Sequence, residues 1–225
     1  MVHAIIYDFD GVIADSEVLA NQVLAERITA LGLPTTLNDA LRLYMGRRWA
    51  EAMKLIEHGL GKPLPISFSA DLHAATLARL QADLKEVHGA TEFIKHFKTL
   101  PRCIASSSSA SRLQVSLEAL NLRDMFDGRT FSADLVARGK PCPDIFLYAA
   151  KQIGIAPSKC VVIEDSPSGV HAAKAAGMTV IGLGAASHIR ARHCQHLLDA
   201  GADYATTSWA DARAFMNGRA GTRQN

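Results

Sequence analysis

Several things are scarce in this sequence, and each scarcity removes a class of function. No uninterrupted apolar run approaches the roughly 20 residues that a bilayer-spanning helix needs. The opening Met1-Val2-His3-Ala4-Ile5-Ile6 lacks the basic start and small-residue cleavage site of a secretion signal. Both point to a cytoplasmic chain with no membrane partner. The formal net charge is only +2 and the basic residues are dispersed, so no nucleic-acid partner is expected. Cys103, Cys142, Cys160 and Cys194 stand far apart with no Cys-x-x-Cys pair, which excludes a zinc signature and a small disulfide framework. They read as idle thiols of a reducing compartment. The histidines show no ligand spacing, and there is no internal repeat or low-complexity tract. Oligomeric state is not fixed by any of this.

What is present is ordinary material for a globular enzyme: 225 residues, 48% apolar and 20% charged. That length allows one sizeable domain, or a core carrying a smaller insert. Short apolar runs at Ala4-Ile5-Ile6-Tyr7, Cys103-Ile104-Ala105, Cys160-Val161-Val162-Ile163 and Thr179-Val180-Ile181-Gly182 suit buried strands of a parallel sheet. A weaker one lies at Ala202-Asp203-Tyr204-Ala205. Between them, Ser111 to Leu120, Asp144 to Ile153 and Ser168 to Ala176 have helical spacing, with Asp144 placed to cap its helix. Strands alternating with helices predict a Rossmann-like α/β core with right-handed crossovers. Residues 16–85 read differently, as helices over Glu17–Leu31, Leu37–Tyr44, Trp49–His58 and Ser69–Leu84, punctuated by Gly32-Leu33-Pro34 and Gly59-Leu60-Gly61-Lys62-Pro63. The expected organisation is therefore a core of residues 1–15 and 86–225, with a helical cap, residues 16–85, inserted after the first strand.

The chemistry-bearing residues sit where the strands end. Asp8 and Asp10 follow the first strand, and two acids there repel each other unless a cation or proton intervenes. Alone, an Asp-x-Asp merely punctuates a strand. Glu164-Asp165 closes another strand, however, and carboxylates from two strand ends can converge on a hard cation preferring oxygen, most naturally Mg²⁺. In open α/β sheets ligands collect beyond the carboxyl ends of the strands. Ser106-Ser107-Ser108-Ser109 follows a third strand, where hydroxyl and backbone N–H groups bind phosphate oxygens. Lys140, in Gly139-Lys140-Pro141-Cys142-Pro143-Asp144, is a surface lysine by default and is singled out by this company.

Together these residues resemble the haloacid dehalogenase-like hydrolase superfamily. Asp8-Phe9-Asp10-Gly11-Val12-Ile13-Ala14-Asp15-Ser16-Glu17 is similar to its first motif, and Ser106 matches the hydroxyl of the second. Lys140 matches the base of the third, and Glu164-Asp165-Ser166 with Gly169 and Ala172 resembles the fourth. The resemblance runs from Ile5 to Gly184, and is nearest to the branch of sugar phosphatases, phosphoglycolate phosphatase-like enzymes and beta-phosphoglucomutase. It implies a phosphatase acting on a small phosphorylated metabolite, a sugar or polyol phosphate. Asp8 would be the nucleophile and would become an acyl phosphate, and Asp10 would be the general acid and base. Ser106, Ser107 and Lys140 would bind the phosphoryl oxygens. Mg²⁺ would be held by Asp8, the carbonyl of Asp10 and Asp165, with Glu164 supporting the metal. Glu17, Asn21, Arg47 and Arg48 of the insert are the candidates for reading the leaving group.

Two rivals follow from the same residues. A phosphomutase would return the phosphoryl group to another hydroxyl, but Ala20 stands where mutase relatives carry a histidine, so hydrolysis leads. A non-catalytic binder of a phosphorylated ligand would have no need for Asp8, Asp10, Lys140 and Asp165 together. Carbon-centred dehalogenation is disfavoured because it has no use for the acids at Asp10, Glu164 and Asp165.

Overall fold

The computed structural model describes residues 2–126 and 128–219. They divide into two compact units, one made of the residues up to Asp15 with those from Lys85 on, the other of Ser16–Leu84. The chain beyond residue 219, assigned to the core from sequence, lies outside the described residues.

The first unit is built on six parallel strands, β1 (Ala4–Tyr7), β2 (Arg102–Ser106), β3 (Thr130–Ser132), β4 (Cys160–Glu164), β5 (Thr179–Leu183) and β6 (Tyr204–Thr206), in the order β3-β2-β1-β4-β5-β6. The chain builds outward from β1 in both directions, so the order reverses there, and such a switch point opens a crevice at the strands' carboxyl ends. Register brings the active strand ends level: Tyr7 pairs with Ile163 and with Ile104. The residues after Tyr7 and Ile163 therefore emerge side by side.

Each face of the sheet has its own packing, as period-two alternation requires. Ala4 and Ile6 of β1 join Cys103, Ala105, Val162 and Val180 in a core closed by Ile145, Phe146 and Ala149 of α7 (Asp144–Gln152) and by Ala172 and Ala173 of α8 (Pro167–Ala175). Tyr7 points the other way. Its ring meets Phe93 of α5 (Ala90–His96) and Phe126 edge-on at 6.2 and 5.9 Å, and Trp209 of α10 (Trp209–Arg219) at 6.4 Å. α6 (Ala110–Ala119) follows β2, and α9 (His193–Asp199) precedes β6. Asp144 does not cap α7 as expected. Pro143 holds the cap position, while both Asp144 carboxylate oxygens accept from Arg138 at 3.0 and 2.8 Å.

The second unit consists of α1 (Glu17–Ala30), α2 (Leu37–Leu43), α3 (Trp49–Leu60) and α4 (Phe68–Asp83). Leu24, Ala25, Ile28, Ala40, Tyr44, Ala52, Ile56 and Phe68 form its core. Thr36 and Asp39 close a capping box that starts α2. Trp49 stacks on Phe68 at 6.3 Å while its indole N–H donates to Ser69 Oγ at 3.1 Å. No helix among the described residues is long and apolar enough to cross a membrane.

Candidate active site

β1 stops at Tyr7, and the next residues leave the sheet at once. The Asp8 N–H still donates to Ile163 O at 2.9 Å, but by Gly11 the backbone has turned, closed by Gly11 N–H to Ala14 O at 2.8 Å. Gly11 adopts φ +78°, and a Cβ there would fall 1.9 Å from Asp165 Oδ2, so only glycine lets the first acidic loop lie against the second. Gly169, at the start of α8, is under the same constraint from the other side: its Cβ would sit 1.8 Å from Glu164 Oε1.

Beyond the ends of β1 and β4 the structure gathers Asp8, Lys140, Glu164 and Asp165. Lys140 Nζ donates to Asp8 Oδ1 and to Glu164 Oε1, both at 2.6 Å, and lies over the Phe146 ring, 4.9 Å from its centre. The Lys140–Pro141 peptide bond is cis. Glu164 is wholly buried, and its second oxygen accepts from the N–H and hydroxyl of Ser166 at 2.9 and 3.0 Å. Ser166 in turn caps α8, taking the Gly169 N–H at 3.0 Å. The ammonium is thus fixed from both sides, and its anchor is tied to the start of a helix.

The electrostatics follow from counting charges. Three carboxylates, Asp8, Glu164 and Asp165, offer oxygens all within 4.8 Å of one another, against the single ammonium of Lys140. Burial works against the Lys140 charge, but Asp8 and Glu164 outweigh it and hold the lysine above its usual range. For Asp8, burial dominates; Lys140 opposes it and Glu164 adds to it, and the carboxyl is pushed up to about 7. A surplus of negative charge in an oxygen-only, enclosed cluster is what a divalent hard cation offsets. Both Glu164 oxygens are engaged, by Lys140 and by Ser166, so Glu164 is the least suited of the three to ligate one directly. The donor set therefore fits Mg²⁺.

Asp10 lies apart from this quartet. Its Oδ2 accepts from Ser108 Oγ at 2.6 Å, and its Oδ1 from Arg112 at 2.8 Å. Ser106 is buried at the end of β2 and accepts the Ser108 N–H at 3.1 Å, whereas Ser107 is exposed. The serine run is thus a folded turn, and Ser132 Oγ braces it by donating to Ser108 O at 2.7 Å.

Of the four candidates in the helical unit, Asn21 is buried, donating to Glu17 O at 2.9 Å and to Glu17 Oε2 at 3.3 Å. The Arg47 Nε–H donates to Leu43 O at 2.6 Å, and Arg48 is an exposed residue preceding α3.

Four residues near the site escaped sequence reasoning. Ser108 was named only as part of a run, and Arg112 only as part of a helix. His188 Nε2 lies 3.8 Å from Asp165 Oδ2, and a His193 ring nitrogen lies against the Asp165 carbonyl. Burial, eased by Asp15 and reinforced by His193, pushes His188 below the usual histidine range.

The sequence and the fold are similar to those of known proteins. A model of the haloacid dehalogenase-like hydrolase family matches residues 2–177. A phosphorylated carbohydrates phosphatase of Thermotoga maritima is 34% identical over 79% of this chain and 82% of its own. Fructose-1-phosphate phosphatase YqaB of Escherichia coli is 30% identical over 79% of this chain and 94% of its own. The crystal structure of a conserved haloacid dehalogenase-like protein from Agrobacterium tumefaciens superposes with a TM-score of 0.86 at 37% identity, covering 98% of this chain and all of that one.

Proposed function

Since this chain belongs to the haloacid dehalogenase-like hydrolases, a phosphatase family by its named relatives, we propose that it hydrolyses a small sugar or polyol phosphate through a phosphorylated Asp8. The observation that carries this reading is the cluster of Asp8, Glu164 and Asp165 at the ends of the adjacent strands β1 and β4, with Lys140 bonded to two of them. Phosphoryl transfer needs alignment and cancellation of negative charge more than covalent chemistry from the protein, and the quartet is suited to both.

In this account Asp8 attacks phosphorus in line: its oxygen bonds to phosphorus as the bond to the leaving oxygen breaks. Asp10 gives its proton to that oxygen, then accepts one from the water whose oxygen displaces Asp8 from phosphorus. Lys140 keeps Asp8 oriented and, with Ser106 and Ser107, takes the phosphoryl oxygens; Glu164 holds Lys140. Asp8, Asp165 and the Asp10 carbonyl would hold Mg²⁺, which supplies charge neutralisation when bound. Selection of the leaving group is assigned to Glu17, Asn21, Arg47 and Arg48.

The test is phosphate release from a panel of sugar, polyol and short-acid phosphates, first with Mg²⁺ and then with EDTA. Metal-dependent release concentrated on a few related sugar or polyol esters is the expected result. No release from any ester by folded protein moves the account to a phosphomutase or to a binding protein.

A further inference from the structure

Arg112 stands where a cation is unfavourable. It occupies the first turn of α6, where Ser109 accepts its N–H at 3.4 Å as helix cap. The helix dipole disfavours a positive side chain there. A residue placed against a local preference calls for a tertiary reason, and such departures concentrate at functional sites.

The tertiary partner is Asp10, 102 residues earlier in the chain. The two side chains are largely enclosed, 20% and 14% exposed, with 2.8 Å between guanidinium nitrogen and Oδ1. A charge-assisted bond of this length, shielded from solvent and so less screened, is stronger than a surface pair. Ser108 takes the other oxygen at 2.6 Å and is itself bonded on both sides. Its N–H is tied to Ser106, its carbonyl to Ser132, and Asp134 accepts the Ala110 N–H at 2.9 Å just beyond it. The Asp10 carboxylate is therefore gripped at both oxygens by one braced segment. Held at both oxygens, the group has its plane fixed.

We infer that Arg112 is a positioning residue for the proton transfers of Asp10, setting the line along which a proton passes to the leaving oxygen and later arrives from water. This rests on the acid–base role proposed above for Asp10. During phosphorylation the Asp10 proton goes to the leaving oxygen as its bond to phosphorus breaks. During hydrolysis a proton of the attacking water goes to Asp10 as the Asp8–phosphorus bond breaks. Arg112 touches neither reacting oxygen in this scheme. It acts through Asp10.

The discriminating experiment uses two esters of different leaving-group demand. Fructose 1-phosphate has an alkoxide leaving group that needs a proton. p-Nitrophenyl phosphate releases a stable phenolate and transfers its phosphoryl group without one. Arg112→Met and Arg112→Lys would be compared with the unaltered chain in single-turnover phosphorylation and in steady state, with urea midpoints confirming that each variant is folded. Arg112→Met is expected to slow phosphorylation by fructose 1-phosphate about 10–100-fold, a fraction of the 10²–10⁴ that general acid–base catalysis supplies. Its KM should stay within about 3-fold, as should the phosphorylation rate with p-nitrophenyl phosphate, since an effect confined to the proton leaves uniform binding untouched. Arg112→Lys should recover part of the lost rate, and should report even if the methionine variant folds poorly. A raised KM with equal losses on both esters would mean that Arg112 holds the phosphate, and would overturn the inference. Unchanged rates on both would overturn it too. An unaltered chain that forms no phosphoryl-enzyme from either ester removes the premise instead, and the inference with it.

Discussion

Lys140 bonds two of the three clustered buried carboxylates, so replacing it with methionine shows what their charge costs the fold. Methionine keeps most of the stem and its contact with Phe146 but removes the ammonium 2.6 Å from both Asp8 and Glu164. The three side chains are 5%, 10% and 0% exposed, so water cannot take over the lost bonds. Removing one partner of a buried pair costs about 3–5 kcal/mol, because the remaining charge is left uncompensated. That is a large share of a total stability of about 5–15 kcal/mol.

Urea unfolding measures it in a Trp49→Phe background, so that Trp209 alone reports on the first unit. The sign of the pH dependence is fixed. Asp8 already sits at about 7 instead of 3.8 with Lys140 in place, raised by its burial. A carboxyl raised in the folded state contributes stability that is fully present below its unfolded value and is lost as pH rises through the folded one. The Lys140→Met variant should therefore be most destabilised near pH 8 and recover as pH falls toward 5. Mg²⁺ should also restore part of the loss, since any ligand of the folded state stabilises it by mass action. A deficit below about 1 kcal/mol that is the same at both pH values would refute the reasoning from buried charge.

Three further outcomes are expected. Gly169→Ala should destabilise by about 1–3 kcal/mol through overpacking against Glu164 despite alanine's better helix propensity, whereas Gly218→Ala, in α10 with nothing within 4 Å of its Cβ, should be neutral or stabilising; urea midpoints of the two decide. Asp10→Asn should slow turnover of alkyl phosphates about 10²–10⁴-fold while the circular dichroism spectrum is unchanged, read by steady-state phosphate release. On the proposal that Asp8 ligates Mg²⁺, its carboxyl must be ionised to do so, and Mg²⁺ should bind more tightly as pH rises from 5.5 to 8 and should release a proton at the lower end. Calorimetry in two buffers of different ionisation enthalpy detects that proton, and pH-independent affinity would contradict the elevated Asp8.

The sheet was legible because its strands are short continuous apolar runs that end in polar residues, and four of the six were readable that way. β3 has three residues and little apolar character, so no period could reveal it; α5, α9 and α10 were likewise not singled out. The gathering of Asp8, Lys140, Glu164 and Asp165 had a signal in the order of the motifs, since each lies where a strand ends or a helix begins. Arg112 had none. Its partner lies 102 residues away, and an arginine within a helix pattern looks like a solvated charge. Asp144 shows the converse: a residue suited to capping is taken by Arg138, six residues earlier, because the intervening turn brings the two together. The histidines beside Asp165 were invisible for the same reason as Arg112: His188 arrives on the turn after β5 and His193 at the start of α9, and no local pattern specifies that either approaches Asp165.

The central claim is the covalent one, and rapid quenching tests it most directly. The chain, mixed with Mg²⁺ and whichever ester the panel selects, would be stopped in acid within milliseconds, digested, and its peptides weighed. The account predicts a phosphate-sized mass increase on the peptide bearing Asp8, absent with EDTA and absent in Asp8→Asn. Substrate turnover with no phosphorylated Asp8 at any quench time, or an Asp8→Asn variant that still turns over at near-normal rate, would contradict it.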